Sequence, residues 1–323
     1  GMSDIAILGA GAFGTALAVA LARDGQDVTL WARDPAQAEA MRGTRENRRH
    51  LPGHALPDRL APTAELPDAA RAGTLLLTVP MQELGGLLRQ NRALFRQKTL
   101  VACCKGIDLQ TGFTPARVIR EEIPDARPAV LSGPSFAADI AAGLPTALTV
   151  AADDAAQAAA LQAQLSTSTV RLYASTDPTG VGLGGALKNV IAIACGVCIG
   201  AGLGESARAA LLTRGFAEMQ RNAPAFGALP ETLAGLSGLG DLALTCTSEK
   251  SRNYRFGLAF GQFGGHEARE TTEGIATARA LAARAAREGL DMPITEMVAA
   301  LLDRRLTVAE ATEMLLSRPL RAE

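Results

Sequence analysis

A doubly wound parallel α/β sheet followed by an all-α half is the fold class that the sequence predicts. Three observations lead to it. Short apolar runs recur with room for helices between them, a glycine-rich turn joins the first run to a small-residue helix, and strand patterns stop after about residue 180. Alternating strands and helices are typical of parallel sheets that carry helices on both faces.

The first supersecondary unit is predicted at the N-terminus. Residues 4–25, "DIAILGAGAFGTALAVALARDG", predict an apolar strand, a tight turn and a helix that ends at Gly25. The run "DVTLWARD" predicts a second strand, and the crossover between two parallel strands is right-handed. Four later runs predict further strands of the same sheet: "TLLLTVP", "TLVACC", "PAVLSGP" and "TALTVAA".

The second half of the chain is predicted to be a separate helical domain. A chain of 323 residues is long enough for two cores. The segment "STDPTGVGLGG", residues 175–185, supplies turn residues, and helix-forming Ala, Leu and Arg dominate after it. We therefore expect an α/β domain over residues 1–183 and an all-helical domain over residues 184–323.

Composition limits the partners and the cellular location. A net charge of −1 with mixed signs gives no broad field for nucleic acid or an anionic membrane. The N-terminus lacks a basic region before an apolar core, so a cytoplasmic protein is expected. Lys188 and Asn189 interrupt the apolar segment 181–204, so no membrane insertion is expected.

The cysteines predict reduced buried thiols. They form an odd set in apolar surroundings, which does not suit a disulfide framework. Cys195 and Cys198 have i, i+3 spacing, but no second such pair and no nearby histidine completes a metal site, so no metal is expected. The cysteines are Cys103, Cys104, Cys195, Cys198 and Cys246.

The motif "GAGAFG" predicts a dinucleotide site in a Rossmann-like domain. Gly9, Gly11 and Gly14 follow a strand and open a helix. In this spacing the first glycine permits the turn, the second lets the backbone approach a pyrophosphate, and the third lets helix and strand pack closely. The N–H groups at the helix start attract the phosphates.

The end of the second strand bears on the choice of cofactor. An acidic residue there usually accepts from the ribose 2′-hydroxyl of NAD, but this strand ends "LWARD". Arg33 suits a 2′-phosphate, so NADP or dual use is favoured over NAD alone. Asp34 either caps the next helix or meets a hydroxyl.

Lys188, in "GGALKNVIAIACG", is the candidate general acid. The chain has 4 Lys among 32 basic residues, so this lysine in an apolar helix is a marked choice. Burial lowers the pKa of an ammonium group and makes it usable as an acid near neutral pH. A lysine that reaches the surface past apolar neighbours is the structural alternative. The adjacent Asn189 favours a shared polar pocket.

The histidines are less suited to this role. His50, His54 and His266 lie in polar or glycine-rich sequence outside the motifs, and we interpret them as surface residues. The segment 43–60, "GTRENRRHLPGHALPDRL", is likewise interpreted as a surface loop without a chemical role.

Further polar residues follow strand or turn patterns. Lys105 in "CCKGID" and Ser135 in "LSGPSFA" come after predicted strands, where ligands bind in doubly wound sheets. The segment "GLGDLALTCTSEKSRN" contains Asp241, Thr245, Arg252 and Asn253. Arginine with asparagine and hydroxyl groups suits a phosphate monoester. Each residue taken alone fits a cap or a surface turn equally well.

Together these motifs resemble the bacterial NAD(P)-dependent glycerol-3-phosphate dehydrogenases over nearly the whole chain. "GALKN" and the pair "GLGDL" and "SRN" are the most specific. Departures include Ala201 and Ser206, where the family has Asp and Asn. The other supporting motifs are "GAGAFGTALA", "KGID", "LSGPSFA", "ARAALLTRGFAEM", "TEGIATA" and "MPITE".

The resemblance implies reversible reduction of dihydroxyacetone phosphate to sn-glycerol 3-phosphate for phospholipid synthesis, and a homodimer is expected. Lys188 would give the proton in reduction and take it in oxidation. The implied substrate contacts are Lys105, Gly133, Ser135, Lys188, Asp241, Ser251, Arg252 and Asn253. The implied cofactor contacts, beside the motif glycines, are Ala12, Phe13, Arg33, Lys105, Ala137, Arg252 and Glu273.

Two other functions share the predicted architecture. A 3-hydroxyacid or ketopantoate-type reductase would need a carboxylate pocket in place of the "SRN" phosphate set. A module that senses NADP(H) without turnover would not require Lys188 and Asp241 together.

Overall fold

The computed structural model describes residues 3–265 and 273–316. The chain divides into two compact units, residues 1–183 (unit 1) and 184–323 (unit 2). The boundary falls within a helix, Pro178–Gly200, which begins in unit 1 and continues into unit 2.

Unit 1 alternates strands and helices. Its strands are β1 (Ile5–Leu8), β2 (Val28–Trp31), β3 (Glu46–Asn47), β4 (Leu51–Ala55), β5 (Leu60–Thr63), β6 (Thr74–Leu77), β7 (Thr99–Ala102), β8 (Arg127–Ser132), β9 (Thr146–Ala152) and β10 (Val170–Ser175). Its helices are α1 (Ala12–Arg23), α2 (Pro35–Thr44), α3 (Leu66–Ala69), α4 (Met81–Gln90), α5 (Arg92–Phe95), α6 (Pro115–Glu122), α7 (Ala137–Ala141) and α8 (Ala155–Leu165).

Eight strands form one sheet in the order β10-β9-β8-β7-β6-β1-β2-β5. The strands from β8 to β5 run parallel, which confirms the predicted fold class. The strand order changes direction between β1 and β6, and ligands bind at such a point in open α/β sheets. The carboxyl ends of β1 and β6 therefore flank the expected cofactor crevice.

Strands β9 and β10 depart from the parallel arrangement. β9 pairs antiparallel with β8, and β10 runs parallel to β9. The connection from β8 to β9 contains the five-residue helix α7. Five helical residues rise about 7.5 Å, well short of a six-residue strand, so α7 cannot return the chain to the starting edge. The chain enters β9 at the edge where β8 ends.

The sheet is buried on both faces. Ile5, Ile7 and Leu30 belong to a core that includes residues of α1, α2, α7 and α8. Ala6 and Leu8 belong to the core of the opposite face, with residues of α3 to α6. Burial on both faces explains why the strands appear in the sequence as continuous apolar runs.

The segment 43–60 is ordered, and its interpretation as a surface loop is wrong. β3 and β4 pair antiparallel as a hairpin, which we call the 46–55 hairpin. Leu51 and Leu56 lie in the core, and Asn47 is buried. The many Arg, Pro and Gly residues of the segment hide this order, because so few of its side chains are apolar.

Unit 2 is helical throughout its described residues, as predicted. It consists of the greater part of α9 (Pro178–Gly200), then α10 (Glu205–Asn222), two 3₁₀ turns (Ala223–Phe226 and Pro230–Ala234), a π turn (Leu236–Gly240), α11 (Asp241–Cys246), α12 (Arg252–Phe263), α13 (Glu273–Glu288), α14 (Pro293–Leu302) and α15 (Val308–Leu316).

The predicted turn at residues 175–185 is largely helical. Asp177 caps the start of α9, since its Oδ1 accepts from Gly180 N at 3.0 Å, and Pro178 is the first helical residue. The glycines that suggest a turn serve packing. A Cβ at Gly184 would lie 2.6 Å from the carbonyl oxygen of Ser237.

Helix α9 alone, among residues 3–265 and 273–316, is long and apolar enough to cross a membrane by length and composition. However, 94% of its most apolar window is buried inside the protein. A core helix passes the same test, and the apolar surface of α9 is already covered.

Helices α9 and α12 touch backbone to backbone. A Cβ at Gly196 would lie 2.2 Å from the carbonyl oxygen of Tyr254, and one at Gly257 would lie 2.1 Å from that of Ile193. Gly200 and Gly261 make equally close approaches. Real Cβ atoms do not come this close to backbone, so the two helices can adopt this distance only with glycine at the contact.

We expect Gly257→Ala to lower the free energy of unfolding by about 3 kcal/mol, because overpacking a tight contact forces the helices apart. Gly86→Ala in α4 is the matched control, since nothing lies within 4 Å of its Cβ position. That change should raise stability by about 0.5 kcal/mol through the lost flexibility of the unfolded chain. Urea unfolding of both variants tests this, and equal midpoints would contradict the backbone contact.

Candidate active site

The turn after β1 has the shape that the glycine motif predicts. Gly9 has a φ of +124°, and a Cβ there would lie 2.8 Å from Oγ1 of Thr78. A Cβ at Gly14 would lie 2.2 Å from the carbonyl oxygen of Gly9. Beside Gly11 there is open space. Other atoms of the protein therefore pack closely against Gly9 and Gly14, whereas the space beside Gly11 is open.

The carbonyl groups of the turn are bound by the protein. Oγ1 of Thr78 donates to Gly9 O at 2.8 Å, and Thr15 N donates to Gly11 O at 3.0 Å. The side chains of Gln37 and Asn47 donate to the carbonyl oxygen of Ala10. The motif identifies the glycines but gives no signal for these three supporting side chains, because they come from distant parts of the chain.

Helix α1 starts at Ala12 directly after this turn, and Phe13 follows. No side chain caps its N-terminus. The first N–H groups of a helix lack partners within the helix and carry the positive end of its dipole. This combination of an uncapped helix start and open space at Gly11 fits the pyrophosphate of a dinucleotide.

Arg33 and Asp34 lie just beyond β2. The Arg33 side chain is 62% exposed, and its Nη1 lies 3.5 Å from Oε1 of Glu83. Oδ1 of Asp34 accepts from Ala36 N at 2.9 Å, so this carboxylate caps α2. Of the two roles considered for Asp34, the structure therefore shows the cap.

Lys105 follows β7 and Gly133 follows β8. Nζ of Lys105 donates to the carbonyl oxygen of Gly133 at 3.2 Å, which joins the two predicted substrate residues. Oγ of Ser132 and Oγ of Ser135 are buried, and neither has a hydrogen-bond partner among the described residues. Buried hydroxyl groups are nearly always paired, so two orphaned ones at one strand end fit a site that a ligand completes.

Two other residues belong to the same strand ends. Ala137 is the first residue of α7. Cys103, at the end of β7, is buried, and burial raises the pKa of its thiol well above the usual value. Such a thiol is unreactive at neutral pH.

Lys188 lies in a buried polar cluster. Its Nζ lies 2.8 Å from Oδ1 of Asp241 and 3.1 Å from Oγ1 of Thr245. Oγ1 of Thr245 also donates to Oδ1 of Asp241 at 3.3 Å. Lys188 is 6% exposed, so the side chain does not extend to the surface, and the adjacent Asn189 is equally buried. A buried polar pocket around Lys188 is therefore present, and Asp241 and Thr245 form it; the two charged residues are 53 positions apart in the sequence.

The π turn before α11 places Asp241. A Cβ at Gly238 would lie 2.0 Å from the carbonyl oxygen of Leu233, so Gly238 lets the π turn pack on the preceding 3₁₀ turn. Gly184 of α9 lets the π turn lie against α9 at Ser237. Asp241 then opens α11 beside Lys188, and Thr245 lies one helical turn further on the same side.

The start of α12 adjoins the same part of α9. Ser251 caps α12 by accepting from Tyr254 N at 3.2 Å, and Arg252 is its exposed first residue. Oδ1 of Asn253 accepts from Gly274 N at 3.1 Å. A Cβ at Gly274 would lie 3.1 Å from the carbonyl oxygen of Asn189.

Glu273, an exposed residue, opens α13 immediately before Gly274. The starts of α12 and α13 therefore meet near Asn189, the neighbour of Lys188. Unit 2 thus brings Lys188 of α9 next to Asp241 of α11, and Asn253 of α12 next to Gly274 of α13.

The remaining candidates lie elsewhere. His50 is exposed and His54 is half-buried in the 46–55 hairpin, while His266 lies outside the described residues. The five cysteines, all within the described residues, are buried and form no disulfide. Within residues 3–265 and 273–316, no cluster of His, Cys, Asp or Glu could hold a metal ion.

The chain matches known proteins along nearly its whole length. Residues 4–158 match the family described as NAD-dependent glycerol-3-phosphate dehydrogenase N-terminus, and residues 177–313 match the corresponding C-terminus. A glycerol-3-phosphate dehydrogenase [NAD(P)+] of Ruegeria sp. is 58% identical over 320 residues, covering 99% of this chain and all of that protein. One of Cereibacter sphaeroides is 58% identical over 319 residues, with the same coverage.

A solved structure agrees with these matches. The crystal structure of glycerol-3-phosphate dehydrogenase from Coxiella burnetii has a TM-score of 0.90 and 38% identity, covering 97% of this chain and 98% of that one. Both halves of the chain thus correspond to one family. The chain belongs to the NAD-dependent glycerol-3-phosphate dehydrogenases, the family that its sequence resembles.

Proposed function

We propose that this protein reversibly reduces dihydroxyacetone phosphate to sn-glycerol 3-phosphate, with NADPH or NADH as reductant. The buried cluster of Lys188, Asp241 and Thr245 supports this function, because it sets a proton donor in unit 2 of a family that oxidises and reduces this substrate pair. The product is a precursor of phospholipid backbones. We further propose a cytoplasmic homodimer.

The cofactor supplies a hydride when bound. The turn and the start of α1 would hold its pyrophosphate, through Gly9, Gly11, Ala12, Phe13 and Gly14. Arg33 would meet a 2′-phosphate. Contacts with the rest of the cofactor are assigned to Lys105, Ala137, Arg252 and Glu273.

Lys188 is assigned the proton transfer. As the carbonyl carbon is reduced, negative charge develops on the carbonyl oxygen, and the ammonium group of Lys188 gives a proton to it. In the reverse direction the neutral amine takes the proton of the hydroxyl group. The bonds to Asp241 and Thr245 fix Nζ and limit its rotation, so the proton is held at one place.

The phosphate group of the substrate is assigned to the start of α12. Arg252 supplies a planar guanidinium that bonds two oxygens at once, and Asn253 with the helix N–H groups adds donors. Ser251 caps the helix by accepting from Tyr254 N, and its hydroxyl group can still donate to a phosphate oxygen, so Ser251 is assigned to the substrate as well. Lys105, Gly133 and Ser135 at the strand ends of unit 1 are assigned to the rest of the substrate.

The defining experiment follows oxidation of NADPH by absorbance, with dihydroxyacetone phosphate and then with unphosphorylated dihydroxyacetone. Turnover should require the phosphate group. Equal rates with both ketones would favour a reductase of another substrate class. NADPH binding without turnover of either ketone would favour a redox sensor.

Replacement of Lys188 should abolish most turnover and spare cofactor binding. Lys188→Ala is expected to lower kcat about 10²- to 10⁴-fold, the usual contribution of a general acid. The variant leaves Asp241 without this ion-pair partner, so the double variant Lys188→Met with Asp241→Asn removes both charges and protects the fold. Stopped-flow and NADPH titration measure both properties. Lys98→Ala is the control and should keep the wild-type kcat. If kcat of Lys188→Ala is also unchanged, Lys188 does not take part in the proton transfer.

Replacement of Arg252 should act on substrate affinity. Arg252→Ala is expected to raise KM for dihydroxyacetone phosphate about 10- to 100-fold, since a charge-assisted bond to phosphate is lost. At saturating NADPH, the residual turnover of the unphosphorylated ketone should not change. Arg287→Ala, an exposed arginine of α13, is the control. A proportional loss with both ketones would argue against phosphate recognition by Arg252.

Replacement of Arg33 tests cofactor preference. Arg33→Ala should lower kcat/KM for NADPH about tenfold relative to NADH, because only NADPH carries the 2′-phosphate that the guanidinium would bind. Steady-state kinetics with each cofactor give the ratio. If the ratio is the same in the wild type and the variant, Arg33 does not read the 2′-phosphate.

A further inference from the structure

We propose that Asn47 of the 46–55 hairpin is a positioning residue for the cofactor. It holds the peptide between Ala10 and Gly11 so that the Gly11 N–H faces the pyrophosphate of NADP(H). This inference rests on the proposed function, since it requires that the turn binds a dinucleotide. It gives a role to a segment whose sequence suggests none.

The contacts of Asn47 are specific and buried. Its Nδ2 donates to the carbonyl oxygen of Ala10 at 2.9 Å and to Oγ1 of Thr15 at 2.8 Å, and its Oδ1 accepts from His50 N at 3.2 Å. Asn47 is 1% exposed. Only an amide combines two donors with an acceptor in this shape, so neither Asp nor Leu reproduces the set.

A second amide makes the same bond from another element. Nε2 of Gln37, in α2, donates to the carbonyl oxygen of Ala10 at 2.9 Å. Two side chains thus share one carbonyl oxygen and fill both of its lone pairs. Ala10 lies between the first two glycines of the motif, so the direction of its carbonyl group sets the shape of the turn.

The planarity of the peptide transmits this orientation to the ligand side. In a trans peptide the C=O of one residue and the N–H of the next point in opposite directions. With the Ala10 carbonyl held toward Asn47 and Gln37, the Gly11 N–H points away from them. No group in the described part of the chain accepts from this N–H, and the space beside Gly11 is open.

The hairpin fixes Asn47 in turn. Asn47 is paired with Leu51 across the hairpin, and Leu51 is packed in the core that includes α1. The backbone of Asn47 is therefore held in place by the hairpin, and its side chain is enclosed by protein, since the residue is 1% exposed. A donor held in this way is preorganised, so that cofactor binding does not have to order it.

The test compares two ligands on the Asn47→Ala variant. NADP+ carries the pyrophosphate, whereas adenosine 2′-monophosphate carries the adenosine and 2′-phosphate without it. We expect the Kd of NADP+, measured by calorimetry, to rise about tenfold, the loss typical of one hydrogen bond. The Ki of adenosine 2′-monophosphate, from displacement of NADPH, should stay within about twofold.

Thr15→Val is the matched control. It removes the acceptor of the second Asn47 bond at a fully buried position but leaves the bond to Ala10. If Asn47 acts on the turn, this variant should keep the Kd of NADP+ within about twofold even where it lowers the Tm. Gln37→Ala, at a half-buried position, should raise the Kd about threefold and serves if Asn47→Ala does not fold.

Several outcomes would overturn the proposal. The first is an unchanged Kd of NADP+ in both Asn47→Ala and Gln37→Ala. The second is an equal loss of affinity for NADP+ and adenosine 2′-monophosphate in Asn47→Ala. The third is a rise in the Kd of NADP+ in Thr15→Val as large as that in Asn47→Ala. If the wild-type protein binds neither NADP+ nor NAD+, the proposed function fails first, and if it binds only NAD+, the same comparison is made with NAD+ and adenosine. If the wild type binds the cofactor and neither Asn47→Ala nor Gln37→Ala changes its Kd, only the role of Asn47 is wrong.

Discussion

The contact between α9 and α12 is the constraint on which the arrangement of unit 2 depends. Four glycines, Gly196, Gly200, Gly257 and Gly261, let the two backbones touch. At this distance the start of α12 lies close to the middle of α9: Gly274 donates to Asn253 and lies next to the carbonyl oxygen of Asn189. A side chain at any of these glycines would push the helices apart and separate the groups assigned to phosphate from those assigned to the proton.

Close backbone contact recurs where polar groups must be held. Gly238 lets the π turn pack on the preceding 3₁₀ turn and Gly184 lets it lie against α9, which sets Asp241 beside Lys188. In unit 1, Gly14 lets α1 pack on the turn after β1. In each case the absence of a side chain on glycine lets two backbone segments approach closely, and this close contact fixes the position of the polar residue next to them. Packing and chemistry are therefore parts of one arrangement.

Local patterns in the sequence predicted much of this structure, and long-range contacts limited the rest. The βαβ start, the Gly9 motif and the pairing of Lys188 with a polar pocket follow from periodicity and from an out-of-place charge. The reversal at β9 depends on the length of α7, and the helical start of α9 depends on what Gly184 packs against. Neither is visible in a local window. Asn47 was missed for the same reason, because its role exists only where the 46–55 hairpin folds back on Ala10.

The scarcity of lysine has a practical consequence for the chemistry of this surface. Amines are the usual targets of acylating and crosslinking reagents, and this chain offers only four lysine side chains against a majority of arginines. One of them, Lys188, is enclosed by protein, so reagents in solution meet Lys98, Lys105 and Lys250. Lys105 is hydrogen-bonded at the strand ends assigned to the substrate. A bound ligand that shields Lys105 from the reagent would therefore lower the intact mass of the labelled protein by one label.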